Sequence, residues 1–148
     1  MDIRIYYEDT DCGGVVYYGN YLKYFERGRT EYLETRGISI RALLDEGTQF
    51  VVIHAELTYR SPSRYGETLQ IDTWISKRTK ASLTMSHVIK ERETGRLVVE
   101  GSATLAAVDI EGRLKRLPAS LLALPLDSAA TADGQGVRAA EGKDDLNG

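Results

Sequence analysis

Apolar positions along the chain change period twice. Over residues 2–7, Ile3, Ile5 and Tyr7 alternate with Arg4 and Tyr6, which predicts a short strand. From residue 21 the spacing becomes helical: Tyr21, Phe25, Gly28 and Tyr32 share one stripe, flanked by Leu22 and Leu33. Lys23, Arg27, Thr30 and Glu34 lie opposite. A helix over residues 21–36 is expected, about 24 Å long at 1.5 Å per residue. Gly37 is its stop. Gly28 inside the stripe costs about 1 kcal/mol relative to Ala, so its use is to let the helix press closely on a sheet. Arg29 also points toward the apolar side. It is expected to be partly buried and paired with Glu26 or a loop carboxylate.

A short second helix over residues 39–46 follows, capped by Ser39 and ended by Gly47. The period then drops to two for four long runs. Residues 49–60 put Val51, Ile53, Ala55, Leu57 and Tyr59 on one face; residues 67–78 group Leu69, Ile71, Thr73 and Ile75. Residues 81–92 group Leu83, Met85, His87 and Ile89, and residues 96–109 group Leu97, Val99, Gly101, Ala103, Leu105 and Ala107. Residues 61–66 break the first pair of runs, and Glu93-Thr94-Gly95 and Glu111-Gly112 are turns. Residues 113–117 extend the pattern as a last strand, and 118–124 suit a helical turn. Strand, helix, then consecutive strands is an α+β order, an antiparallel sheet curved around one helix. Gly101, Ala103, Ala106 and Ala107 suit the strand beneath that helix.

Composition bounds the reading. One domain is expected over residues 1–126. The remainder, 127–148, is rich in Gly, Ala and Asp, lacks aromatics and is expected to be a disordered acidic tail. That tail holds Asp127, Asp133, Glu141, Asp144 and Asp145 against Arg138 and Lys143, which accounts for the whole net charge of −3. The body is formally neutral, which argues against nucleic-acid binding by overall charge. Cys12 is the single cysteine, so neither an internal disulfide nor a cysteine zinc cluster is expected. No apolar run reaches membrane-spanning length and the first residues lack an apolar signal segment. A cytoplasmic protein without membrane insertion is the expectation.

Chemistry concentrates between the first strand and the long helix. Residues 8–20 contain Asp9 and Asp11, the pair Gly13-Gly14, then Tyr17 and Tyr18. The glycines allow a tight turn and close approach of another molecule. The helix start presents unpaired N–H groups and a positive dipole end. A carboxylate beside such donors is what acyl transfer needs. Asp11 is therefore a candidate catalytic residue; a turn or cap aspartate is the alternative, and Asp9 reads as a turn residue. Cys12 has no neighbouring histidine in sequence and reads as a small filler. His54 and His87 fall within strands. His54-Ala55-Glu56 lacks the Pro-Cys-x-x-Cys of a zinc deaminase, and no metal site or cofactor fingerprint occurs. Lys77, Arg78 and Lys80 cluster at a turn and suit phosphate binding or simple solvation. Arg60, Arg64, Arg113, Lys115 and Arg116 also lie near strand ends.

The motif Tyr7-x-Asp9-Thr10-Asp11-x-x-Gly14-Val15-Val16-Tyr17-Tyr18-x-Asn20-Tyr21, followed by Tyr24-Phe25-Glu26-x-x-Arg29, resembles the 4-hydroxybenzoyl-CoA thioesterase family, in its YbgC-like branch. The resemblance covers residues 2–124. It implies a hotdog fold, homodimers or homotetramers with sites at the subunit boundary, and hydrolysis of acyl-CoA without a cofactor. It implies Asp11 as nucleophile or general base, the Tyr18 N–H on the thioester carbonyl, and Gly14 near the acyl group. It further implies Lys77, Arg78, Lys80 and Arg113 on the CoA phosphates. Tyr17, Tyr18, Tyr21 and Tyr24 suit either an aromatic acyl chain or simple core packing. Many members of that branch carry His where this chain has Tyr18; the backbone N–H survives the exchange.

Two rival readings differ in class. A hotdog dehydratase needs a His near the central helix, and none occurs before residue 54. A non-catalytic acyl-CoA or acyl-carrier-protein binder would not require Asp11.

Overall fold

In the computed structural model, which describes residues 1–127, one antiparallel five-stranded sheet wraps one long helix. The strands are β1 (Asp2–Arg4), β2 (Gln49–Tyr59), β3 (Thr68–Arg78), β4 (Ser82–Glu91) and β5 (Leu97–Val108), in the spatial order β1-β3-β4-β5-β2. The helices are α1 (Asn20–Glu34), α2 (Ile40–Asp45) and a single turn, α3 (Ala119–Leu122). This is the expected hotdog arrangement. Among the described residues no helix is long and apolar enough to cross a membrane.

The α1 stripe forms as its spacing predicts, with one exchange. Tyr21, Phe25, Gly28, Tyr32 and Leu33 are buried, and Tyr24 takes the place expected for Leu22, which stays exposed. Gly28 is what lets α1 sit on β3 and β4. A Cβ there would lie 2.7 Å from Thr73 Oγ1 and 3.1 Å from Ile71 Cδ1. Gly37, at φ +81°, reverses the chain after α1 and lets the Ile38 amide donate to Leu33 O (2.9 Å). Ser39 caps α2, its Oγ accepting from the Ala42 amide (3.0 Å).

β3 and β4 present Leu69, Ile71, Thr73, Ile75 and Leu83, Met85, His87, Ile89 to the helix, as expected. β2 departs from strict alternation. A bulge at Ile53 switches its parity, so Val52 pairs with Leu105 while His54 pairs with Thr104. Phe50 and Val52, then Ala55 and Leu57, thus share the inner face; Val51 and Ile53 do not join them. Gly101 serves β2 rather than the helix: a Cβ there would meet Glu56 O at 2.0 Å. β1 ends at Arg4, and Tyr7 is exposed in a 3₁₀ turn.

The expected strand over 113–117 is reduced to a Val108–Leu114 bridge and three backbone hydrogen bonds, Asp109 N to Arg113 O (2.9 Å), Lys115 N to Ala107 O (3.0 Å) and Leu117 N to Lys80 O (2.7 Å). Asp127, assigned to the tail by composition, is held by the fold. Its amide donates to Ile75 O (2.9 Å), and its carboxylate accepts from the Tyr32 hydroxyl (2.7 Å). Residues 128–148, the rest of the expected tail, lie outside the described residues.

Candidate active site

The loop before α1 is a small hairpin. Thr10 and Val16 bridge, the Asp11 amide donates to Val15 O (2.9 Å), and the Gly14 amide donates back to Asp11 O (3.0 Å). Asp11 thus opens a four-residue turn, a position that favours Asp. Gly14 closes it at φ +82°, where residues with a side chain are strained. The turn role occupies only one oxygen of Asp11. Its Oδ1 accepts from the Gly13 amide (2.8 Å), while Oδ2 has no hydrogen-bond partner among the described residues, and the residue is exposed.

The hairpin is anchored from below. The Val16 amide donates to Ser63 O (2.8 Å), and the buried Ser63 hydroxyl meets Tyr21 Oη at 2.6 Å. Asp9 is structural, as expected. Its Oδ2 accepts from the Tyr6 amide (2.8 Å), and its carbonyl accepts from the Tyr17 amide and from Asn20 Nδ2, both at 3.0 Å.

Those bonds decide which amide is open. The Tyr17 N–H is taken by Asp9 and the Asn20 N–H by Tyr17 O (2.9 Å). The Tyr18 N–H, between them at the entry to α1, has no acceptor among the described residues. Gly19 keeps the neighbourhood compact, since a Cβ there would strike the Tyr17 ring at 2.7 Å. Tyr17 and Tyr18 are exposed with ring centroids 4.8 Å apart, and Tyr59 stands edge-on to Tyr18 at 6.2 Å. An open carboxylate, an open amide and an aromatic wall therefore share one loop.

The expected phosphate cluster is elsewhere. Lys77 and Lys80 are exposed at the end of β3 and the following turn, whereas the Asp11 hairpin abuts Ser63 and Arg64, ahead of β3. The length of β3 separates them, roughly 33 Å at 3.3 Å per residue. Arg78 is not with the lysines. A bulge at Ser76 turns it inward, where Nη1 donates to Leu121 O (3.2 Å) and to Leu124 O, tying down α3. Arg113 sits at an exposed turn and pairs with Glu111.

Sequence reasoning gave no special place to two other residues. Arg64 pairs in a β-bridge with Val15 of the hairpin, and its side chain forms no ion pair among the described residues. Only the bridge, not the spacing, reveals that proximity. His87 is buried against Phe25, ring centroids 4.2 Å apart, with Nδ1 2.9 Å from Thr73 Oγ1 and Nε2 unpartnered. Burial, with the charge of Arg29 adding to it, pushes its pKa down to about 3. It is a neutral core residue, distinct from the hairpin.

Residues 13–98 match the Thioesterase superfamily; the matched span starts just past Asp11. The chain is 37% identical over 122 residues to the acyl-CoA thioester hydrolase YbgC of Escherichia coli, covering 82% of this chain and 90% of that one. A probable thioesterase from Bartonella henselae has a TM-score of 0.74 at 36% identity, with 80% and 97% of the two chains covered. A 1,4-dihydroxy-2-naphthoyl-CoA thioesterase from Synechocystis shares the fold at a TM-score of 0.77 and 18% identity, covering 82% and 90%. With a five-stranded sheet around one helix and more than half of its length matched, the chain belongs to the thioesterase superfamily.

Proposed function

We propose that this protein hydrolyses an acyl-CoA to the free acid and CoA, at a site formed by the hairpin before α1. The observation that carries the reading is the pairing, within one short loop, of the open Asp11 Oδ2 with the open Tyr18 N–H. The thioester oxygen accepts from the Tyr18 amide, and negative charge that develops there meets the positive end of α1. One such donor is worth about 10²–10³ in rate. Asp11 then either attacks the carbonyl carbon or deprotonates a water that does. In the first case an acyl–carboxylate anhydride forms and is hydrolysed; in the second, water adds directly. Both routes expel CoA as a thiolate, which needs little acid help because thiols are fairly acidic. Gly14 lines the approach: a Cβ there would have nothing within 4 Å, so the space above it is free for the acyl group. Tyr17, Tyr18 and Tyr59 form one wall for that group.

The strand order supports a homodimer. β2 is an 11-residue edge strand that exposes Val51, Val52 and Ile53, an edge that invites pairing. Antiparallel β2–β2 pairing in a homodimer reverses one subunit relative to the other. It carries the Lys77 and Lys80 end of one subunit toward the Asp11 end of its partner. The CoA phosphates then meet Lys77 and Lys80, with Arg113 at the same end of the sheet, across the subunit boundary. Arg78 serves the fold instead. A tetramer would be two such dimers. A cytoplasmic location suits a CoA thioester substrate.

The test is release of free thiol from a panel of aliphatic and aromatic acyl-CoAs, run beside light scattering. Turnover of at least one thioester by a species of two or four chains is expected. Binding of acyl-CoAs without turnover would replace this reading with that of a carrier.

A further inference from the structure

Val15 joins the Asp11 hairpin to the loop that precedes β3. On one side it faces Asp11, whose amide donates to Val15 O (2.9 Å); on the other it pairs antiparallel with Arg64. Directly paired residues present their side chains to one face. The neighbouring pair, Thr10 and Val16, turns inward with Val16 buried, so Asp11 and Val15 turn outward. Asp11, Val15 and Arg64 therefore form one outward row across three extended segments. Its ends are two strand spacings apart, about 10 Å, and both are exposed. The guanidinium of Arg64 is left without a carboxylate. The acid of its own loop, Glu67, is already taken: both oxygens accept from Arg96 Nη2 (3.0 and 3.2 Å), and Oε1 also accepts from the Arg64 amide (2.8 Å). Asp11, the acid of the row, forms no ion pair with Arg64, and Arg64 forms none with any other described residue. The gap between the two lies over Val15, beside the open space above Gly14.

We propose that Arg64 selects the acyl group, binding a carboxylate at the far end of a short acyl chain whose thioester carbonyl sits at Asp11 and the Tyr18 N–H. The inference rests on the hydrolase reading of the hairpin and names the substrate class, a dicarboxylic acyl-CoA. The chain runs from the carbonyl over Gly14 and Val15 and ends at Arg64. The guanidinium fork matches the two oxygens of a carboxylate. A neutral chain of the same length would cover that cation and offer it no partner, which is costly. A CoA phosphate carries the same kind of charge, but it lies on the sulfur side of the carbonyl, opposite the acyl chain. Lys77 and Lys80 already serve the phosphates in the proposed dimer.

The test compares glutaryl-CoA with pentanoyl-CoA, which match in chain length and differ in the terminal carboxylate, after subtraction of uncatalysed hydrolysis. The parent is expected to favour glutaryl-CoA by at least about 10-fold in kcat/KM, the scale of a hydrogen bond between charged groups. Arg64→Gln should abolish that preference. Arg64→Lys keeps the charge without the fork and should retain part of it, and Arg64→Glu should reverse it. The Arg64 side chain forms no ion pair in the fold, so melting should stay unchanged in all three variants. A parent that turns over both thioesters equally well, or an Arg64→Gln variant that keeps the preference, overturns the proposal. So does a KM that Arg64→Gln raises equally for both, since Arg64 would then meet a phosphate of CoA. A parent that hydrolyses no thioester overturns the hydrolase reading instead, and this inference falls with it.

Discussion

The Asp11 carboxylate accepts the Gly13 amide at 2.8 Å, through Oδ1 alone. One oxygen is spent on fixing the turn and the other is left facing solvent. The bond therefore sets the direction in which Asp11 presents its free oxygen. A Cβ at Gly13 would sit 3.2 Å from Oδ1, tighter than an ordinary contact. Gly13→Ala should rotate the carboxylate and lower kcat by roughly 10-fold, since misplacement of about 1 Å can cost 10²-fold. KM and thermal stability should change little. An unchanged kcat would mean that the Gly13 bond does not position the reacting oxygen.

Lys77→Ala combined with Lys80→Ala should raise KM with less effect on kcat. Phosphate contacts are remote from the bond that breaks and persist through the reaction. The increase should shrink at high salt, where screening weakens the parent's own contacts. Arg78→Ala should behave differently, lowering stability by about 1–3 kcal/mol as the Leu121 and Leu124 carbonyls lose a charged donor. If Arg78→Ala instead raises KM at unchanged melting temperature, Arg78 meets the substrate.

Gly28→Ala should cost about 1–3 kcal/mol despite the higher helix propensity of Ala, because the added methyl overpacks the α1–β3 contact. Denaturant midpoints read this directly. A stabilised variant would show that α1 can lift off Thr73 without loss.

His87 sets an acid limit on stability. Its folded pKa of about 3 lies below the unfolded value near 6.5, so the unfolded chain binds the proton first. Stability is lost as pH falls from about 6.5 toward 3, by up to about 1.4 kcal/mol per pH unit from this group. His87→Gln removes that contribution and should flatten the profile relative to the parent over this window. Identical slopes would mean that the imidazole protonates inside the fold at little cost.

Chain truncation after Asp127 should leave melting and turnover nearly unchanged. Removing Asp127 as well should lower the melting temperature by a few degrees, since the Tyr32 hydroxyl and Ile75 carbonyl lose their partners. A large loss from the shorter deletion would make residues 128–148 part of the working enzyme.

Much of this architecture was legible from spacing, and the exceptions have physical causes. The α1 stripe and the hairpin loop were readable because period 3.6 and the glycine pair admit few alternatives. The inner face of β2 was not, because Val51, Val52 and Ile53 are all apolar and carry no parity signal across a bulge. Tyr24 for Leu22 is a similar exchange of one apolar edge of the stripe for the other. Arg78 rather than Lys77 turns inward for the same reason as in β2, a bulge, here at Ser76. The distance between Asp11 and the lysines was illegible for another cause. It depends on which end of β3 each occupies, and on the strand order, rather than on any local motif.

The central claim is that the negative charge of Asp11 acts in the transition state. Asp11→Asn keeps the size of the side chain and an oxygen to accept from Gly13, and removes the charge. The single-turnover and steady-state rates of this variant on an acyl-CoA, compared with Asp9→Asn, test the claim most directly. The account predicts a kcat loss of at least about 10²-fold, the lower end for losing general-base catalysis, with KM within a few-fold and melting nearly unchanged. Asp9→Asn should lose less rate and more stability, because its carboxylate holds the Tyr6 amide. Hydrolysis by Asp11→Asn at the parent rate would contradict the account.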